Sequence, residues 1–158
     1  MVTLTNTLRE LRQILGDYSE KFETIPEVLF SAKPHSQKWS KKEVLGHLID
    51  SGQTNLRRFI CSQYESAPKI IYAQDFWVTA NNYQNIPKEN LTQLWRLLNE
   101  QICEVLRTMP DRNASLLIDT GKEEPQLHSI AWLAEDYVKH LKHHLNQIIP
   151  GSFVISYP

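Results

Sequence analysis

Cysteine is scarce in this chain. Cys61 and Cys103 are its two thiols, too few and too far apart for a disulfide framework or a thiolate zinc site. Free thiols suit a reducing compartment. An excess of one charge is also missing. The net charge of −1 argues against a nucleic-acid or anionic-membrane surface, which needs a clear basic surplus. No apolar run approaches the roughly 18 residues of a membrane span. The start, MVTLTNTLREL, has neither the basic segment nor the apolar stretch of a secretion signal, so a cytoplasmic location is expected. Internal repeats, low-complexity tracts and linkers are absent too. The 158 residues therefore read as one domain, 1–158, large enough to bury about two-thirds of its unfolded surface without staples.

What the chain does have is histidine, six in all, concentrated late. The stretch 129–149, SIAWLAEDYVKHLKHHLNQII, reads as an amphipathic helix. At 3.6 residues per turn Ile130, Leu133, Ala134, Tyr137, Leu141, Leu145 and Ile148 share one face. His140 and His144 flank that face one turn apart, with Cβ atoms about 6 Å from each other. His143 points away, among Asp136, Lys139 and Asn146, toward water.

Three further long helices are expected. The first covers 3 to about 30, with Leu4, Leu8, Leu11, Leu15 and Phe22 at helical spacing and Thr3 or Thr5 as its cap. After a connection holding Pro34 and a surface His35, Trp39 packs over the start of the second, at 41–65. That start is marked by a capping box, Ser40 to Glu43. The inward face of the second helix carries Val44, Leu45, Leu48, Ile49, Leu56, Phe59 and Ile60. His47 lies on a different stripe with Ser51, Thr54 and Arg58, which periodicity alone assigns to water in preference to a polar pocket. The third helix, 88–108, follows Pro87. Between the second and third, an aromatic- and amide-rich segment holds a short helix near 75–83. Residues 110–128 are irregular, with Leu116–Ile118 a short strand or tucked loop, and the tail after Pro150 has no helical signal. The pattern is all-α: a four-helix bundle with a short extra helix between helices two and three.

Two imidazoles at i and i+4 inside a bundle can share a divalent ion. A zinc-protease reading fails, because Leu141 and not a glutamate follows His140. A carboxylate di-iron reading fails as well, because Tyr137 occupies the position three before His140. A third ligand is needed, and His47 is the best candidate, being the other helix-borne histidine with polar neighbours. Three neutral imidazoles with an open position suit zinc, nickel or a similar ion. Asp50, one turn after His47, and Gln147, after His144, are candidates to orient the imidazoles. Arg58 lies about 16 Å along the helix from His47, too far for a ligand but placed to meet a substrate carboxylate. Asp75, Trp77 and Asn81 are candidate pocket walls, with packing the first role for Trp77. Cys61 and Cys103 sit at packing positions, so no protein nucleophile is expected.

Three stretches, WSKKEVLGHLIDS, YAQDFWVTANNY and DYVKHLKHHLNQI, resemble the signature regions of the DinB-like superfamily. This is the DinB/YfiT group of metal-binding four-helix bundles, which includes the bacillithiol transferases. The resemblance runs over nearly the whole chain in order. It implies an up-down-down-up bundle with a long crossover, supplied in part by 66–87. It also implies a metal on one histidine of the second helix and an HxxxH pair of the last, here His47, His140 and His144. The activity it implies joins a low-molecular-weight thiol to an electrophile, the ion holding the thiol as thiolate at neutral pH. The alternatives are hydrolysis by activated water at the same ion, or a bundle that binds a metal or ligand without catalysis. The expected partners are small molecules, without nucleic acid or membrane, and exposed helix faces suit a homodimer.

Overall fold

The computed structural model describes residues 4–155. Its helices are α1 (Leu4–Thr24), α2 (Glu27–Ser31), α3 (Lys41–Cys61), α4 (Gln74–Ala80), α5 (Lys88–Thr108) and α6 (Ile130–Ile148). Short 3₁₀ turns lie at Tyr83–Asn85 and Asp111–Ser115, and two strands, β1 (Leu117–Asp119) and β2 (Leu127–Ser129), precede α6.

Helix one does not run unbroken to residue 30. Pro26 has no N–H to continue it and disfavours helical geometry at Ile25. The chain restarts as α2 and turns Phe30 inward, its ring 5.9 Å from that of Phe22. Thr3 lies outside the described residues, and Thr5 sits within α1. The start of α3 is as expected: the Glu43 N–H donates to Ser40 Oγ at 3.1 Å, and the Ser40 N–H donates to Glu43 Oε2 at 2.9 Å. Its end comes earlier than 65, at Cys61, where turn bonds from Gln63 and Tyr64 replace the helical ladder.

The four long helices form a ring in the order α1, α5, α3, α6, each packed on its two neighbours. Lys88, at the start of α5, donates to the carbonyls of Glu23 and Ile25 at the end of α1, so these two run antiparallel. Past the far ends of α3 and α5, Gln63 Oε1 accepts from Asn113 Nδ2 at 3.2 Å, so α3 and α5 run parallel. Lys41, first in α3, donates to the carbonyl of Ile148, last in α6, so α3 and α6 are antiparallel. The order is up-down-down-up. Parallel α3 and α5 require the chain between them, residues 62–87, to travel the length of the bundle. That segment lies along one side of α3.

The core is built from the expected faces. Trp95, Phe22, Phe30 and Phe59 are fully buried, as is the whole apolar set of α6. Ile60 is an exception, more than two-fifths exposed. The irregular stretch before α6 holds an antiparallel ribbon with Ile118 opposite His128. Its first strand falls one residue on from the short strand or tucked loop expected at Leu116–Ile118, while the second is too short for alternation to reveal it. Asp119 Oδ1 accepts from the N–H groups of Gly121 and Gln126 and closes the loop between them. A Cβ at Gly121 would lie 1.8 Å from the Glu124 carbonyl oxygen, so this turn requires glycine.

Candidate metal centre

Antiparallel packing of α3 on α6 brings His47 opposite the His140–His144 pair. The ring centroids are 5.3 Å apart for His47 and His140, and 4.5 Å for His47 and His144. One nitrogen from each residue lies within 4.8 Å of the others. The Nε2 atoms of His140 and His144 are 3.1 Å apart. Nitrogens on a tetrahedral zinc, each about 2.05 Å from it, stand about 3.3 Å from one another.

The stripe of α3 that carries His47 is not in water. His47 is 1% exposed, and Ser51, Thr54 and Asn55 are buried with it. Helix periodicity assigns faces to the partners of a simple bundle and does not register the long crossover. Here Tyr83, Asn81 and Ile70 of that crossover bind Asp50 and Arg58, while α6 covers the remainder. His143 is exposed, as its position on the helix suggests.

Electrostatics keep the three imidazoles neutral. Burial pushes His47 down to about 4, with the neighbouring His144 adding to the effect. Burial first, then His144 and His47, push His140 down to about 3. His144 is lowered by burial, against a raising hydrogen bond to Gln147. Neutral imidazoles present lone pairs, the form that binds a cation. Both His47 nitrogens are buried without a hydrogen-bond partner, although buried polar atoms are normally satisfied. A cation would take up one of them. The donor set fits a divalent ion that accepts nitrogen ligands.

The other expected residues divide. Gln147 Oε1 lies 3.1 Å from His144 Nδ1; accepting that N–H fixes the tautomer and leaves Nε2 facing the other two rings. Asp50 is fully buried but has no bond to His47. Its Oδ1 accepts from the Tyr83 hydroxyl at 2.5 Å and from Asn81 Nδ2 at 3.1 Å, and burial raises its carboxyl to about 6. Arg58 donates from Nε and Nη2 to the Ile70 carbonyl, so its guanidinium ties the crossover to α3. Asp75 lines a cavity of about 680 Å³ that also borders Trp39, Lys41, His144 and Gln147. Trp77 packs edge-on against Tyr72, centroids 5.4 Å apart, in keeping with a packing role.

Three participants were not expected at the site. The Trp39 ring lies 5.1 Å from that of His47 and covers it from the loop side. Tyr83 holds Asp50, and Gly46 gives Tyr83 its place. A glycine in mid-helix is a sequence signal of close approach. For Trp39 and Tyr83 no such local signal exists, because their partners lie on other elements.

The sequence model of the DinB superfamily matches residues 10–148. The chain belongs to the DinB superfamily. Among solved structures, the bundle is similar to YfiT from Bacillus subtilis, described as a probable metal-dependent hydrolase with an unusual four-helix bundle topology. That likeness has a TM-score of 0.82 at 19% identity and covers 91% of this chain and 82% of YfiT. It is similar as well to the mycothiol-dependent maleylpyruvate isomerase, with a TM-score of 0.69 and 12% identity over 90% of this chain. A mutant of that isomerase gives a TM-score of 0.73 at 11% identity, also over 90% of this chain. The chain spans 60% of the isomerase's length. No curated protein matches the chain in sequence. These likenesses carry the fold alone.

Proposed function

We propose that the chain is a metal-dependent enzyme acting on small molecules, most closely a thiol S-transferase that joins a low-molecular-weight thiol to an electrophile. His47, His140 and His144 are the proposed ligands of a divalent ion, zinc or nickel by the chemistry of three neutral nitrogens. The observation that carries this is the convergence of three neutral imidazoles from two helices, one of them buried with both nitrogens unbonded.

A divalent ion held by His47, His140 and His144 would supply a lowered pKa to a bound thiol or water, and with it a nucleophile near neutral pH. The chain's own residues prepare the place. Gln147 orients His144, Trp39 keeps water from His47, and the adjoining cavity of about 680 Å³ has room for a thiol and an electrophile together. Cys61 and Cys103 are buried, so the nucleophile comes from outside the chain. Hydrolysis at the same centre is the second reading, favoured by the likeness to YfiT.

Elemental analysis of untagged protein, followed by a generic electrophile with and without a panel of small thiols, tests the proposal. One equivalent of metal, lost from the triple His47, His140 and His144 variant, together with thiol-dependent turnover, is the expected result. Turnover of ester or amide substrates without thiol selects hydrolysis. Metal content unaffected by the triple variant removes the centre altogether.

A further inference from the structure

Two polar groups of α3 are buried without partners, and they occupy adjacent turns of one face. Neither ring nitrogen of His47 is bonded, and neither is Asp50 Oδ2. The residues are 1% and 0% exposed. Three positions apart on a helix, their Cβ atoms lie about 5–6 Å from each other. An imidazole that gives one nitrogen to a metal keeps a proton on the other, and that N–H requires an acceptor. For His144 the acceptor is in place as Gln147. For His47 it is not.

The carboxylates near His47 on α3 are Glu43 and Asp50. Glu43 is committed: Oε2 accepts from the Ser40 N–H and Oε1 from Lys33 Nζ. Asp50 has one oxygen held by Tyr83 and Asn81 and one unused.

We propose that Asp50 is a positioning residue of the metal centre, its Oδ2 accepting the second N–H of His47 when the ion is bound. This rests on the three-histidine reading of the site. Tyr83 and Asn81 hold Oδ1 and so keep the carboxylate from turning away. Asp50 thereby brings one negative charge to a centre whose direct ligands are all neutral, which raises the basicity of His47 and strengthens its hold on the ion.

Asp50→Asn separates this role from a structural one. Tyr83 and Asn81 are donors, so the amide oxygen keeps the place of Oδ1 and the NH₂ group replaces Oδ2. A donor there cannot accept an imidazole N–H. Zinc affinity, read by competition with a chromophoric chelator, is expected to fall by about 10- to 100-fold. In cobalt-loaded protein, one paramagnetically shifted, exchangeable imidazole N–H signal is expected to disappear. Tyr83→Phe is expected to weaken zinc less and in the same direction, and it carries the test should Asp50→Asn not fold. Ser51, one turn on from His47, is the competing acceptor, and Ser51→Ala is expected to leave both readouts unchanged. Wild-type affinity and signal in Asp50→Asn, or their loss in Ser51→Ala, overturns the assignment and leaves the three-histidine centre standing. A wild-type protein with no zinc site dependent on His47, His140 and His144 overturns both.

Discussion

Tyr83 lies directly across Gly46. A Cβ built on Gly46 would stand 2.1 Å from Tyr83 Cδ2 and 2.3 Å from Cγ, a separation at which no side chain fits. The absence of one side chain therefore lets the crossover dock on α3 beside His47, and it brings the Tyr83 hydroxyl to Asp50. Gly46→Ala is expected to force the ring outward, break the bond to Asp50 and destabilise the fold by about 1–3 kcal/mol from overpacking alone. Urea unfolding measures this. An unchanged midpoint would mean that the ring has room to move.

His47→Leu is expected to separate stability from function. In the metal-free protein, the imidazole is buried with both nitrogens unbonded, and such groups cost roughly 1–3 kcal/mol each. An apolar side chain of similar volume removes that cost. The variant is expected to unfold at a higher temperature than metal-free wild type by calorimetry, yet to gain nothing when zinc is added. Wild type is expected to gain stability with zinc concentration by mass action. A metal-free variant less stable than wild type would show that packing of the imidazole outweighs its unsatisfied nitrogens.

The readability of the site from sequence differs among its three histidines. His140 and His144 are distinguished from His143 by helical spacing alone, since all three belong to one amphipathic helix whose core face is unambiguous. Periodicity misplaces His47. Its stripe is polar, and what buries it is the crossover, whose path along α3 depends on Gly46, Tyr83 and Arg58 meeting partners far away in sequence. Elimination among the helix-borne histidines makes His47 the best third ligand where the wheel puts it in water, and the resemblance of three stretches to the DinB-like signature regions points to the same residue. Boundaries follow the same division. Pro87, the Ser40 capping box and Ser129 mark their helices within a residue, the interruption at Pro26 carries a local signal that the long apolar repeat overrides, and the second strand of the ribbon before α6 needs its partner to become visible.

Gln147→Leu tests how far one oriented imidazole matters. The Gln147 side chain accepts from His144 Nδ1 and fixes the tautomer that turns Nε2 inward. Without it the ring can flip or change tautomer, and metal affinity is expected to fall by about 10-fold. Because residue 147 is exposed, the unfolding midpoint of the metal-free form is expected to stay where it is. Chelator competition and thermal melts, run side by side, make the comparison. A loss confined to stability would remove Gln147 from the site.

Acid is expected to destabilise the metal-free protein, beginning near the ordinary histidine pKa. His47 and His140 are held at about 4 and about 3 in the fold, against a usual 6.5, and His144 shifts the same way. As pH falls below about 6.5 the unfolded chain takes up protons that the folded one refuses, so stability declines until the folded-state values are reached. Asp50 opposes this. Its carboxyl is raised to about 6 from a usual 3.8, so between those values it binds a proton more readily when folded, and its contribution grows as pH falls. His47 and His140 outweigh one carboxyl, with His144 acting in the same direction, and unfolding near pH 5 is expected to take up at least about one proton. Urea midpoints measured from pH 7.5 to 4.5 give that number from their slope. With zinc present the decline should be steeper, since protons and metal compete for the same lone pairs. His47→Leu should flatten it by about one proton, and an unchanged slope in that variant would show that His47 does not titrate in this window.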